Sequence, residues 1–219
     1  MPGWWEQRQR ESVLAYTLHT DTVTVAWAMG IRRLQLPGQF IAVAGMPFDH
    51  ARNSACMACL ERGFDWLFSL DSDVIPPPDA VLRLMAHRQP IISGVYHRRS
   101  NPAGVPVMQR PLGQWVRQYP PNKVIEVDTV GAGCLLIHKS VLERLPPQRP
   151  QAGKHWFNWA VDCPPEHNPV APMSEDYTFA QWSIKHGYKV LVDTSVQCLH
   201  VGYAQFGYGS AVPLETAAA

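Results

Sequence analysis

The sequence predicts an α/β domain with a mostly parallel central sheet flanked by helices, joined to a smaller and more irregular region. Three observations predict it. Over the first 95 residues, short apolar runs alternate with segments of helical periodicity, the pattern of a parallel sheet covered on both faces. After Tyr96, proline and glycine become frequent and the alternation loosens. No internal repeat or low-complexity block interrupts either part, so residues 1–212 are expected to form one domain with halves at 1–96 and 97–212, and 213–219 a disordered tail.

The elements follow in order. Residues 12–18 read as a strand, 22–34 as a helix, 39–44 as a strand, and 49–62 as a helix that Asp49 caps. Residues 65–70 form a third strand, 79–87 a helix and 90–96 a fourth strand. Such sheets bind ligands at the carboxyl ends of their strands. In the second half, 123–128 and 134–138 read as strands of a different kind, and 140–145 as a short helix. The proline-rich stretch 146–172, with Trp156, Phe157 and Trp159, reads as a loop packed by its own aromatics. A helix over 174–186 capped by Ser174 and a strand over 189–193 complete the pattern.

Composition narrows the class. The chain of 219 residues is 46% apolar, enough for a real core. No run approaches the roughly 18 apolar residues needed to span a bilayer, and the start lacks the pattern of a signal peptide. A cytoplasmic protein with no membrane partner is therefore expected; composition leaves the oligomeric state open. Five cysteines, at 56, 59, 134, 163 and 198, are an odd number at irregular spacing, which argues against a disulfide framework. Cys56 and Cys59 form a Cys-x-x-Cys pair inside an apolar-periodic stretch and are expected to be buried helix residues. The net charge of +1 hides an asymmetry: residues 97–154 carry 9 Lys/Arg against 3 Asp/Glu, whereas 155–219 carry 2 against 6. The middle segment is a surface for an anionic partner or a solvated basic face.

The sharpest chemical signal is Asp71-Ser72-Asp73, directly after the apolar strand 65–70. Two carboxylates at i and i+2 at a strand's end can share one hard cation with a phosphate. A core strand seldom ends in two acids without such a use, because unpaired buried charge is costly. A turn before Pro76-Pro77-Pro78 is the bland alternative. Val130-Gly131-Ala132-Gly133-Cys134 lacks the Lys-Ser/Thr of a phosphate loop and reads as a tight turn.

Phe68-Ser69-Leu70-Asp71-Ser72-Asp73 resembles the Asp-x-Asp motif of GT-A glycosyltransferases. Ala51-Arg52-Asn53, followed by Ala58 and Gly63, is similar to the segment that borders the nucleotide pocket in family 2 of these enzymes. Ser174-Glu175-Asp176-Tyr177 resembles that family's Glu-Asp helix, and Cys198-Leu199-His200 its metal-site histidine. Four elements in order cover residues 39–202. The opening strand, Tyr16-Thr17-Leu18-His19-Thr20, departs from the family's proline-ended form at the uracil side.

The resemblance implies a GT-A fold, with 1–96 the nucleotide-binding half and 97–212 the acceptor side, and transfer of a hexosyl-type group from a nucleotide-sugar donor, a UDP-sugar, to an acceptor hydroxyl. It implies donor contacts from Arg52, Asn53, Asp71, Ser72, Asp73 and Gly133. It implies Mn²⁺ or Mg²⁺ held by Asp71, Asp73 and His200, the histidine favouring Mn²⁺. Asp176 is the implied base and Glu175 the second catalytic candidate; about 100° apart on a helix, only one of the two can face the site squarely. Arg98, Arg99 and Trp156 are the expected acceptor contacts, because a basic run beside aromatics suits a nucleic acid as well as a sugar. A less specific resemblance to small phage-type and TET-associated DNA-modifying glycosyltransferases points to 5-hydroxymethylcytosine in DNA as one acceptor. Small-molecule or glycan acceptors stay open, as do a nucleotidyltransferase and a non-catalytic nucleic-acid-binding module, although no helix-turn-helix, zinc-finger or RNP pattern supports the last.

Overall fold

The computed structural model describes residues 11–19, 22–99, 104–110, 113–148, 155–159, 173–202, 204–207 and 210–213, the last two segments as backbone only. Its centre is a seven-stranded sheet. The first half supplies β1 (Val13–His19), β2 (Gly38–Ala44), β3 (Trp66–Asp71) and β5 (Ile91–Val95), with the two-residue β4 (Val74–Ile75) standing outside that sheet. Helices α1 (Val25–Ile31), α2 (Phe48–Glu61) and α3 (Ala80–Ala86) connect them. The second half adds β8 (Val124–Val127), β10 (Cys134–His138) and β11 (Val190–Gln197) to the same sheet, with α4 (Lys139–Arg144) and α5 (Glu175–Lys185). The spatial order is β2-β1-β3-β10-β5-β11-β8. Strands β2, β1, β3, β5 and β11 share one direction, whereas β10 runs against both its neighbours and β8 against β11.

Strand periodicity divides the core into two layers. Along β1, Leu14, Tyr16 and Leu18 face one layer, with Ala55, Cys56 and Cys59 of α2, Leu142 of α4 and Phe179 of α5. Val13 and Ala15 face the other, with Trp27 of α1 and Leu84 of α3. Each fully buried Leu or Phe contributes about 1.5–3 kcal/mol over an exposed one, so both faces of β1 must be apolar, as parallel central strands are. Cys56 and Cys59 are free thiols inside this packing. Burial, reinforced by the charge of Asp65, pushes the Cys59 thiol up to about 12.

Two small sheets flank the large one. β6 (Met108–Arg110) lies between β7 (Gln114–Trp115) and β9 (Thr129–Val130). β4 pairs with β12 (Leu199–Val201), which leads on to β13 (Ala204–Gly207) and β14 (Ser210–Pro213).

Two capping expectations are corrected. Pro47 precedes α2 with no side-chain cap, and Asp49 sits within the first turn, where the helix dipole favours an acid. Ser174 does occupy the N-cap of α5, but its hydroxyl bonds the Asp176 carboxylate instead of a backbone N–H. Pro213, expected in a disordered tail, belongs to β14; residues 214–219 lie outside the described residues, as do Cys163 and most of the 146–172 loop. Among the described residues, no helix is long and apolar enough to cross a membrane.

Candidate active site at the carboxyl edge of the sheet

β1, β3 and β5 end on one edge of the sheet, where a cavity of about 470 Å³ opens. Leu18 of β1 and Phe48 at the start of α2 form one wall. Asp71, Ser72 and Asp73 enter from the end of β3, Tyr96, Arg98 and Arg99 from beyond β5, and Ser174, Glu175 and Asp176 from the start of α5.

Two bonds hold the Asp-Ser-Asp turn: Trp27 Nε1 donates to the Asp71 carbonyl (3.0 Å) and Asp71 N–H to the Gly133 carbonyl (3.2 Å). Strand pairing then brings in a distant histidine. β12 lies antiparallel to β4 with His200 opposite Val74, and Val201 N–H bonds the Asp73 carbonyl (2.7 Å). His200 Nε2 thereby sits 3.3 Å from Asp73 Oδ2, and Arg99 Nη1 lies 3.0 Å from the same oxygen. Burial disfavours the charged Asp73 carboxylate, but the hydrogen bond and charge of His200 and the charge of Arg99 outweigh it and hold the group below the usual carboxylate range. His200 Nδ1 donates to the His97 carbonyl (2.7 Å), since a carbonyl only accepts. That bond leaves Nε2 as the ring nitrogen that faces the Asp73 carboxylate.

Such an oxygen and nitrogen pair, with the histidine oriented by a backbone carbonyl, fits a divalent cation that accepts mixed N and O ligands. Asp71, expected as a third ligand, also lines the cavity but gives its Oδ1 to Arg52 Nη2 at 3.1 Å. Among the described residues, no three His, Cys, Asp or Glu side chains converge on one point.

Arg52, expected as a donor contact, does line the cavity, and it is also a buried keystone of the site. Only 4% exposed, it bonds Glu175 Oε1 (2.9 Å), Ser69 Oγ (2.8 Å) and Asp71. Burial alone would lower its pKa, yet Asp71, Tyr16 and the two acids of α5 raise it well above the ordinary value. Glu175, 4% exposed and paired with Arg52, is committed to this network.

Asp176 stands differently. Its Oδ2 accepts from Ala132 N–H (3.3 Å), and its Oδ1 from Tyr177 N–H (2.8 Å) and from the Ser174 hydroxyl. Burial, with the charge of Glu175 added, pushes its carboxyl up to about 6 against the partial opposition of Arg52. A carboxylate with that value on a cavity wall is suited to accept a proton near neutral pH.

Other expected contacts lie elsewhere. Asn53 does not reach the cavity. Its Oδ1 accepts from Trp156 and Phe157 N–H (2.8 and 3.0 Å) and its Nδ2 donates to the Phe157 carbonyl (2.7 Å), latching the aromatic loop to α2. Trp156, expected at the acceptor, is 2% exposed and donates Nε1–H to the Leu142 carbonyl (3.0 Å). An apolar ring with a satisfied donor belongs to the core. Gly133 lies buried beneath the cavity, its backbone holding Asp71 and Tyr96.

Arg98 does face the cavity, its guanidinium 4.9 Å from the Trp115 ring, which lies 6.3 Å from Tyr177. Trp115 is one of the aromatics expected to stack beside the basic run, whereas Leu18, Phe48, Tyr96 and Tyr177 were missed in the sequence. Tyr96 immediately precedes the basic run and Tyr177 immediately follows Asp176, and adjacency is the one signal that marks them.

No protein-family model matches the chain, and no curated protein does either. Solved structures do. The chain is similar to A197 from STIV, at 15% identity and a TM-score of 0.63 over 92% of this chain and 96% of that one. It is similar to GalNAc-T7, a structure with UDP, GalNAc and Mn²⁺, at 9% identity and a TM-score of 0.51 over 89% of this chain. It spans 44% of the GalNAc-T7 chain. At these identities the likeness is one of architecture: the chain has a GT-A-like glycosyltransferase fold.

Proposed function

We propose that this protein is a metal-dependent glycosyltransferase that moves a sugar from a UDP-sugar to an acceptor hydroxyl, with Asp176 as the base. The observation that supports this reading best is the opposition, in one cavity, of the Asp73–His200 pair and a carboxylate raised to about 6. The uracil packs on Leu18 and Phe48, the latter 57% exposed, in the place of the family's missing opening segment. Asp73 and His200 would hold Mn²⁺ or Mg²⁺, and the cation would supply Lewis acidity to the leaving diphosphate. The similar GalNAc-T7 structure, with UDP, GalNAc and Mn²⁺, supports that role.

Asp176 takes the proton of the acceptor hydroxyl as that oxygen attacks the anomeric carbon. A base acting directly on the acceptor implies inversion. Backbone N–H groups of Ala132 and Tyr177 fix the carboxylate's orientation, and Arg52 holds Glu175 out of the reaction.

The acceptor under this proposal is 5-hydroxymethylcytosine in DNA. Among the described residues, Arg98, Arg110 and Arg117 pair with no acid, and Arg98 leads to Trp115 and Tyr177 beside the base. Cations free to meet phosphates, next to rings that can stack on a base, suit a nucleic acid. The experiment incubates the protein and Mn²⁺ with labelled UDP-sugars and either hydroxymethylated or unmodified DNA. Label in the hydroxymethylated polymer alone is expected. Transfer only to a simple sugar or polyol rejects DNA; nucleotide incorporation in place of sugar rejects the glycosyltransferase.

A further inference from the structure

Tyr96 follows β5, is 5% exposed, and still lines the cavity. Its position is set with unusual strictness by the turn before β10. A Cβ at Gly131 would lie 2.0 Å from Tyr96 Oη, and one at Gly133 2.8 Å from Cζ and 3.0 Å from Asp71 Oδ2. Neither position tolerates a side chain unless the phenol moves. The three residues between Val130 and Cys134 also orient the site: Gly133 N–H donates to Tyr96 Oη (3.0 Å), Gly133 C=O accepts from Asp71, and Ala132 N–H donates to Asp176. The phenol ring meets His200 edge to face, centroids 5.5 Å apart.

A hydroxyl has two lone pairs and one proton. Gly133 uses a lone pair, and the proton of Tyr96 Oη has no acceptor among the described residues. A phenol, with an ordinary pKa of about 10, keeps that proton at neutral pH. A nearly buried donor without an acceptor is costly, so the bound ligand is the natural partner.

We infer that Tyr96 is a donor-binding residue whose hydroxyl donates a hydrogen bond to a hydroxyl of the transferred sugar, with Gly131-Ala132-Gly133 as the rail that sets its position. This rests on the nucleotide-sugar reading above. Asp71 Oδ2 and Tyr96 Oη both abut the Cβ position of Gly133, at 3.0 and 2.9 Å, and Ala132 N–H holds the Asp176 carboxylate one residue away. A phosphate oxygen there would accept from Tyr96 but meet those carboxylates as a like charge. A sugar hydroxyl accepts from the phenol and donates its own proton to a carboxylate, so it satisfies both neighbours. The hydroxyl is therefore a determinant of the sugar and not of the nucleotide.

The test is calorimetric titration, with Mn²⁺, of UDP alone and of UDP-glucose, UDP-galactose and UDP-N-acetylglucosamine into the wild type, Tyr96→Phe and Gly131→Ala. The wild type is expected to bind one UDP-sugar more tightly than UDP. Tyr96→Phe should reduce that preference by roughly tenfold, one hydrogen bond's worth, with UDP affinity within about twofold of wild type. Gly131→Ala retains the hydroxyl but displaces it, and should act in the same way; it carries the test if Tyr96→Phe does not fold, as its melting curve reports. Equal weakening of UDP and UDP-sugar would place the contact on the nucleotide and overturn the inference. Unchanged affinities in both variants would also overturn it while leaving the donor reading intact, whereas a wild type that binds no UDP-sugar removes both.

Discussion

Arg52 Nε donates to Glu175 Oε1 across 2.9 Å, with both side chains at most 6% exposed, and so ties α2 to α5 beneath the cavity. Removing one partner of a buried pair leaves an uncompensated charge and costs about 3–5 kcal/mol. Glu175→Ala and Arg52→Ala are each expected to lose stability on that scale in urea or thermal unfolding. Glu175→Gln, which keeps an oxygen for Arg52 Nε, should fold and retain most of its activity. A catalytic collapse in Glu175→Gln with normal stability would reassign the base to Glu175.

Asp176→Asn is expected to keep donor binding while the transfer rate falls by roughly 10²-fold or more. The wild-type rate should drop as pH falls through about 6, where this carboxyl takes up its proton. Linkage runs the other way. A carboxyl raised from 3.8 to about 6 on folding favours the folded state below about pH 4 and loses that contribution as pH rises to 6. Melting temperatures across this window should therefore show a component that Asp176→Asn removes.

Mn²⁺ with UDP is expected to raise the melting temperature of the wild type, to raise that of His200→Ala less, and not to add to that of Asp73→Ala. His200→Ala, which removes one ligand of two, should leave weak Mn²⁺ binding, whereas Asp73→Ala should leave none. Transfer that survives a chelator would sink the metal assignment.

Arg98→Ala and Arg117→Ala should each flatten the salt dependence of DNA affinity, by about 0.9 in slope for every duplex phosphate the arginine neutralises, without altering UDP binding. Arg98→Ala also uncovers Trp115 and should raise KM for the acceptor the more. Binding measured between 50 and 200 mM salt decides it; slopes identical to wild type would exclude this face.

Trp156→Ala is expected to cost about 3–5 kcal/mol, as a large buried ring does. Asn53→Ala should cost less but act through the same loop, since it leaves the Trp156 and Phe157 N–H groups unpaired. Acceptor KM in the folded fraction of either variant should match wild type, unlike the result for Arg98→Ala.

The first half was legible because its strands are apolar on both faces: β1, β2, β3, β5 and α1 to α3 lie within a few residues of their expected places, whereas the two-residue β4 was not foreseen. β10 matches 134–138 residue for residue, yet nothing local says that it runs antiparallel between β3 and β5, since apolar runs carry no direction. Among site residues, Asp73, Asp176 and His200 were visible as polar groups at the ends of apolar strands or at a helix start. Arg52 and Asn53 were visible too, but their tasks were not. A buried arginine and a buried asparagine have the sequence appearance of ligand contacts, and only tertiary packing reveals that Glu175 and the loop at Trp156 consume them. Trp156 misled because an aromatic near a basic run looks the same whether it faces solvent or core.

The placement of β10 also bears on how the chain acquires its shape. β3 and β5 share a direction but are separated by one strand's width, and the strand that fills the gap arrives about 40 residues after β5. A nascent chain ending near residue 96 would display two apolar, unpaired strand edges facing an empty slot. Such edges recruit other chains, and pairings of this sequence separation form slowly. The protein is thus most vulnerable during synthesis, between emergence of Val95 and of His138. Fragments cut at that point should be captives of chaperones alone and regain solubility only when expressed together.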